Sequence, residues 1–109
     1  MGEVFRTELA RLQEKHASIG DVRGLGCFWG LELVKNRETR EPLVPFNATG
    51  EAFAPVARLS KAALERGLYL MTYWNVVMVC PPLTITREEI DEGIGILDEA
   101  LAVADEHTV

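Results

Sequence analysis

The side chains that could take part in covalent chemistry are few, and the three lysines are the first to consider. A lysine that forms a Schiff base needs desolvation or a cationic neighbour to become reactive. Lys15 falls near the end of a predicted helix, Lys35 opens a charged turn, and Lys61 lies inside a second predicted helix. Each position is typical of an exposed surface residue, so none of the three is predicted to be reactive.

The histidines and cysteines do not form a recognisable metal or nucleophile site. His16 lies on the apolar face of the first predicted helix, where packing or partial exposure is more common than metal binding, and His107 is close to the last residue. Neither has a Cys, His or Asp at metal-ligand spacing, so no metal site is predicted. Cys27 and Cys80 lie in apolar runs and are expected to be buried, reduced thiols, with one disulfide as the alternative.

The paired glycines and the one carboxylate inside a predicted strand also favour structure over catalysis. The Gly-x-Gly motif at 24–26 precedes a strand, whereas a dinucleotide fingerprint needs a third glycine that opens a helix. We therefore predict a tight turn over residues 21–26, in which the glycines supply unusual dihedral angles. Glu32 is expected to pair with a cation such as Arg23 or Arg58, and a catalytic role is the alternative.

The apolar pattern predicts an α+β domain whose elements position these side chains. The predicted order is a helix bearing Phe5, Leu9, Leu12 and His16 on one face, a strand over 27–34, a helix over 52–65, strands over 68–72 and 76–80, and a last helix that starts at the capping box of Thr86 and Glu89. The strand over 27–34 is apolar on both faces, which predicts a central strand covered on both sides. In the hairpin, Asn75 is expected to take the left-handed turn position. The predicted fold is a two-layer sandwich, a small antiparallel or mixed sheet of three to four strands with helices packed on it.

Size and charge narrow the classes of function. The 109 residues predict a single domain over 1–109. The net charge of −6, from 17 acidic and 11 basic residues, argues against nucleic acid or a polybasic membrane surface as partner. Prolines interrupt the longest uncharged stretch, residues 67–86, and charged residues occupy the N-terminal segment. No membrane span or signal peptide is therefore predicted, and a cytoplasmic location is expected.

Five segments of the chain occur in an informative order. They are IGDVRGLG at 19–26, GLELV at 30–34, NRETREP at 36–42, and RGL at 66–68 leading into PPLTIT at 81–86. Together, and over almost the whole chain, they resemble the C-terminal small domain of the class III (omega) aminotransferases. Each motif alone is weak, but their combination in this order is specific.

The resemblance implies a fold-type I, pyridoxal-phosphate-dependent parent enzyme that is a homo-oligomer, a dimer, and moves an amino group from an amine or amino acid to a keto acid. In that family the Schiff-base lysine and most cofactor ligands lie in a large domain, which is absent here. The chain is therefore expected to need that large domain as its partner and to contribute one wall of the substrate pocket. Alone, it is expected to bind no pyridoxal phosphate and to be inactive.

The resemblance also singles out two residues of that pocket wall, Met78 and Met71. Many family members have an arginine three residues before the Pro-Pro pair, where it grips the substrate carboxylate as a bidentate fork. That position is Met78 here, and a flexible arginine of some amine transaminases corresponds to a point near Met71. Two apolar residues favour an amine, or an acid held by another residue, as amino donor. The alternative for Met78 is core packing.

A rival interpretation is a free-standing α+β binding or regulatory module that uses its sheet or a helix face for a ligand or a homodimer. In either interpretation, the apolar residues exceed what a small sheet can cover. We expect an exposed patch containing Phe28, Trp29, Tyr73 and Trp74. Coding sequence upstream of Met1 that includes a strand-borne lysine would favour the transaminase interpretation.

Overall fold

Helices and strands alternate along the chain in a way that confirms the predicted α+β class. The structure is a computed structural model that describes residues 2–45, 49–82 and 84–108. Its elements are α1 (Gly2–Lys15), β1 (Ile19–Leu25), β2 (Phe28–Asn36), β3 (Glu41–Pro42), a 3-10 turn (Gly50–Phe53), α2 (Ala54–Glu65), β4 (Met71–Tyr73), β5 (Val76–Val79) and α3 (Arg87–Asp105). The sheet has five strands, because β1 and β3 add to the strands predicted from the sequence.

The segment predicted as a tight turn over 21–26 is instead most of strand β1, and the prediction was wrong there. β1 pairs antiparallel with β2, from Leu25 opposite Phe28 back to Ile19 opposite Leu33. A Cβ added to Gly24 would lie 2.4 Å from the Trp29 ring, so this glycine makes room for a cross-strand side chain. Gly26, with a φ of +59°, is the glycine that serves the turn.

The order of the strands is β1-β2-β5-β4, and β3 pairs with the far end of β2. β2 is central, as predicted, but helices cover only one of its faces. Trp29, Leu31 and Leu33 are buried in a core that includes residues of all three helices, whereas Phe28 on the opposite face is 63% exposed. The expectation of cover on both faces is therefore wrong for the described residues.

The three helices follow their predictions closely. α1 buries Phe5, Leu9 and Leu12, and His16 just beyond it is also buried. α2 tolerates its proline because that residue lies in the first turn. α3 begins with a complete capping box, in which the Thr86 hydroxyl accepts from the Glu89 N–H at 3.2 Å and the Thr86 N–H donates to the Glu89 carboxylate at 2.9 Å.

The β4–β5 hairpin has its left-handed residue at Trp74. The prediction placed that residue at Asn75, and it was wrong. Trp74 has a φ of +49°. Asn75 is held against β2, because its carbonyl accepts from the Leu33 N–H at 2.7 Å and its side-chain amide donates to the Leu33 carbonyl at 3.0 Å. Asn75 thus extends the β2–β5 pairing, and the left-handed position falls on the residue before it.

Two Gly→Ala substitutions test this account of β1. We expect Gly24→Ala to lower the free energy of unfolding by about 2 kcal/mol, because the new methyl group overlaps the Trp29 ring and the Phe28 carbonyl. Gly95→Ala is the control, because nothing lies within 4 Å of its added Cβ and alanine is the better helix former, worth up to about 1 kcal/mol. Urea unfolding measures both, and equal midpoints for the two variants would contradict the close packing at Gly24.

Candidate functional site

The sheet has one face that the helices leave uncovered, which we call the open face. The strand register places on it every second residue of β1, β2, β4 and β5. Its members include Arg23, Leu25, Phe28, Gly30, Glu32, Met71, Tyr73, Val76 and Met78. Four of the six exposed large apolar residues of the described chain lie there, namely Leu25, Phe28, Met71 and Tyr73.

The structure brings the two predicted pocket residues together on the open face. Met71 of β4 and Met78 of β5 are direct cross-strand partners. The Met78 sulfur lies 4.0 Å from the point that a Cβ on Gly30 would occupy. The buried residue of this strand is Val77, which points to the helix side, so Met78 is half-buried and outside the core. Whether the pair lines a substrate pocket stays a prediction.

A groove of about 290 Å³ lies beside this pair, between the β4–β5 edge and the first half of α3. Its lining is almost entirely apolar and includes Phe5, Met71, Met78, Cys80, Ile90 and Leu97. Glu89 is the one charged side chain among the described residues that line it. Hydrogen bonds from the backbone and hydroxyl of Thr86 lower the pKa of Glu89, so its carboxylate is held ionised at the groove's rim.

A charged cluster on the open face confirms the partner predicted for Glu32. Arg23 donates from one guanidinium nitrogen to Glu32 at 2.8 Å and to Asp21 at 2.5 Å. These hydrogen bonds, the one to Glu32 first, raise the pKa of Arg23. Two carboxylates against one guanidinium leave this cluster with a net charge of −1. It therefore attracts an ammonium group more readily than a carboxylate.

The side chain of His16 lies between two carboxylates of α3. Its Nε2 is 2.6 Å from Asp98 Oδ1, and its Nδ1 is 2.5 Å from Asp105 Oδ2. Lys15 also donates to Asp98, at 2.9 Å. Burial opposes ionisation of Asp98, but the hydrogen bonds from His16 and Lys15 outweigh it and lower the pKa of that carboxyl. His16 is therefore a packed residue, as predicted.

The same cluster contains Ser, His and Asp, yet its geometry does not suit nucleophilic catalysis. A nucleophilic serine must hydrogen-bond the histidine that takes its proton. The Ser18 hydroxyl instead donates to Asp105 at 2.7 Å, and Ser18 is fully buried. Within residues 2–45, 49–82 and 84–108, no group of three His, Cys, Asp or Glu side chains is placed to hold a metal ion. The cluster ties α1 and β1 to α3.

The described residues do not fit pyridoxal phosphate, the cofactor that the resemblance implies for the parent enzyme. Lys15, Lys35 and Lys61 are all exposed, and none lines the apolar groove. The groove's one charged side chain is acidic, so it offers a phosphate group no cation. Neither a Schiff-base lysine nor a basic phosphate site is therefore built from the described part of this chain.

Several smaller expectations have mixed outcomes. Cys27 and Cys80 are free, as expected, but Cys27 is half-buried and Cys80 exposed, so the predicted burial is wrong. Phe28 and Tyr73 are exposed as predicted, whereas Trp29 is buried, donates to the Gly26 carbonyl at 2.7 Å and lies beneath Arg6.

No helix among the described residues is both long and apolar enough to cross a bilayer.

The lowered pKa of Asp98 predicts a pH-dependent contribution to stability. A carboxyl whose pKa is lower in the folded state stabilises the fold above its unfolded pKa and loses that effect as the pH falls through the folded pKa. Asp98→Asn should therefore cost about 2 kcal/mol at pH 7, the value of hydrogen bonds to a charged group, and the cost should shrink below about pH 4.

Urea unfolding at pH 7 and at pH 2.5 measures the effect of Asp98→Asn. Asp91→Asn is the matched control, because Asp91 lies on the same helix and its ion-pair partner among the described residues is Arg87, at the surface, where ion pairs contribute about 0.5 kcal/mol. A difference between wild type and Asp98→Asn that is the same at both pH values would contradict the argument.

The comparisons with known proteins agree with the resemblance found in the sequence. The family model for class-III aminotransferases matches residues 1–101. The chain is 39% identical over 103 residues to the adenosylmethionine-8-amino-7-oxononanoate aminotransferase of Methanocaldococcus jannaschii, covering 94% of this chain and 21% of that protein. It is 33% identical over 107 residues to the taurine–pyruvate aminotransferase of Bilophila wadsworthia, covering 97% of this chain and 23% of that protein.

Solved structures give the same result. The taurine:2-oxoglutarate aminotransferase of Bifidobacterium kashiwanohense, solved in complex with PLP and glutamate, superposes with a TM-score of 0.86 at 32% identity, over 97% of this chain and 23% of that one. The chain thus spans between a fifth and a quarter of the length of these relatives. Because the family model covers nearly all of its residues, the chain belongs to the class III aminotransferase family.

Proposed function

We propose that this chain is the small, C-terminal domain of a pyridoxal-phosphate-dependent transaminase, and that it forms one wall of the substrate pocket. The observation that carries the proposal is the Met71–Met78 pair on the open face, in a chain of this family. An uncovered face with four exposed large apolar residues is what a domain offers to a neighbour. The rival interpretation as an unrelated binding module has no comparable support.

The large domain is the partner that this proposal requires. It would supply the reactive lysine and hold the cofactor, because the described residues of this chain provide neither. The cofactor supplies the amino-group chemistry, and this chain's part is shape and charge at the substrate's side. The same proposal includes a homo-oligomeric, dimeric assembly in the cytoplasm. Its amino donor is an amine or amino acid, and its acceptor is a keto acid.

The pocket wall formed by this chain is apolar where an arginine would bind a carboxylate. A carboxylate buried against Met78 would lose its water and gain no donor, at a cost of about 2 kcal/mol or more. Arg23, the cation on the same face, is already paired with Glu32 and Asp21. The proposed amino donor is therefore an amine without an α-carboxylate, or an acid whose carboxylate is bound by the large domain.

Met78→Arg in the assembled, cofactor-loaded enzyme tests this proposal. We expect the ratio of kcat/KM for an amino acid to that for its decarboxylated amine to rise, because the guanidinium offers the carboxylate a fork of donors. Leu64→Arg is the control, since it adds the same charge at an exposed site on α2. If the ratio moves less than about threefold, roughly 0.7 kcal/mol, Met78 does not line the pocket.

A second test concerns the chain alone. Because all three lysines are exposed, we expect no specific lysine adduct with pyridoxal phosphate. The chain is titrated with the cofactor, reduced with borohydride and analysed by peptide mass mapping. The assembled enzyme serves as the positive control. Stoichiometric modification of a single lysine of this chain at low micromolar cofactor would show that the chain holds its own cofactor site.

A further inference from the structure

Of the three glycines in β1 and β2, Gly30 is the one at which a side chain would fit without a close contact to the described residues. A Cβ at Gly20 would lie 2.5 Å from a Val34 methyl, and one at Gly24 would overlap the Trp29 ring and the Phe28 carbonyl, so a side chain at either position would force its neighbours to move. A Cβ at Gly30 would meet the nearest atoms of Val76 and Met78 at 3.7 Å and 4.0 Å, which are ordinary contacts. The φ of Gly30 is not in the left-handed region either.

A glycine in the middle of a strand weakens it and often marks a place where a ligand or another backbone comes close. Gly30 lies in the middle of β2, which has neighbouring strands on both sides. Neither packing nor backbone conformation accounts for this glycine within the described residues, so the space above Gly30 on the open face is available to another group.

The surroundings of Gly30 indicate what approaches. The successive cross-strand partners Arg23, Gly30, Met78 and Met71 form one row across the open face. Gly30 is therefore a gap in that row, directly beside the Met78 sulfur. One rim of the gap is the thioether pair, which is apolar. The other rim is the Arg23 cluster, whose net charge of −1 repels carboxylates.

We propose that Gly30 determines the size specificity of the substrate pocket, by leaving room beside Met78 for the larger, uncharged alkyl or aryl substituent of the amino donor. This inference rests on the proposed function, because it takes the open face at Met78 to be a wall of the substrate pocket. Gly30 does not take part in the reaction. It acts by shape, and a longer side chain there would exclude bulky donors while leaving small ones unaffected.

Gly30→Ala and Gly30→Val in the assembled, cofactor-loaded enzyme test the inference. The donors are isopropylamine and 1-phenylethylamine, which differ in one substituent on the reacting carbon. We expect Gly30→Val to lower the kcat/KM ratio of 1-phenylethylamine to isopropylamine by at least about tenfold, mainly through KM for the larger amine, and Gly30→Ala to lower it less. Gly95→Ala is the matched control, because its added methyl group meets only open space on α3, and it should leave the ratio unchanged.

The outcomes separate this inference from the proposed function. A ratio that changes less than threefold, or an equal loss of kcat/KM on both amines, would overturn the role of Gly30 and indicate that the large domain's backbone fills the gap. Should Gly30→Val fail to fold, Gly30→Ala decides, because its Cβ makes no close contact. If Met78→Arg shifts the acid-to-amine ratio and the Gly30 variants do not shift the size ratio, only this inference falls. A wild-type enzyme that transaminates no donor overturns both.

Discussion

Burial of one face of β2 against the three helices is the constraint from which the rest of the structure follows. Trp29, Leu31 and Leu33 have almost no exposed surface, and side chains on a strand alternate between its faces. Once these three residues point to the helices, Phe28, Gly30 and Glu32 must point the other way. A shift of register by one residue would exchange the two sets, so the core also fixes what the open face presents.

The helix side is held together by charge as well as by apolar packing. His16 lies between Asp98 and Asp105, and the latter carboxylate also accepts hydrogen bonds from the backbone and hydroxyl of Ser18. Removing one member of such a buried group leaves the others without a partner, which costs more than the pair itself contributes. The cluster fixes α3 against the junction of α1 and β1, on the side of the sheet away from the open face.

The helices could be predicted from the sequence because their signals are local. Apolar spacing of three and four residues identifies α1, and the capping box identifies the start of α3. The sequence does not reveal β1, because a glycine that serves a turn and a glycine that makes room for a neighbouring side chain look the same in a sequence. Gly24 is of the second kind, since the Trp29 ring on β2 occupies the place of its side chain. The partners of His16 are 82 and 89 residues away, a separation at which no spacing rule applies.

The candidate site shows the same division between local and distant information. The resemblance was enough to select Met71 and Met78, and a hairpin makes their pairing natural. Gly30 and Arg23 belong to the same row only because β2 lies between β1 and β5, an order that the sequence does not state. A glycine at a site is the hardest residue to identify from the sequence, because it contributes empty space. That space can be recognised only when the residues on the neighbouring strands are known.

In the proposed function the open face serves two purposes, contact with the large domain and formation of the substrate pocket, and this limits what its residues can be. Phe28 and Tyr73 are more than half exposed, which favours contact with a second domain, while Gly30 and Met78 are recessed between them and the charged cluster. A large apolar side chain at Gly30 would add to the docking surface but close the gap, and a charge at Met78 would suit a carboxylate but oppose apolar packing. The proposed pocket therefore occupies the part of the face where side chains are short or flexible, and the bulky aromatics stand at its margins, where they can pack against the large domain without filling the space left for the substrate.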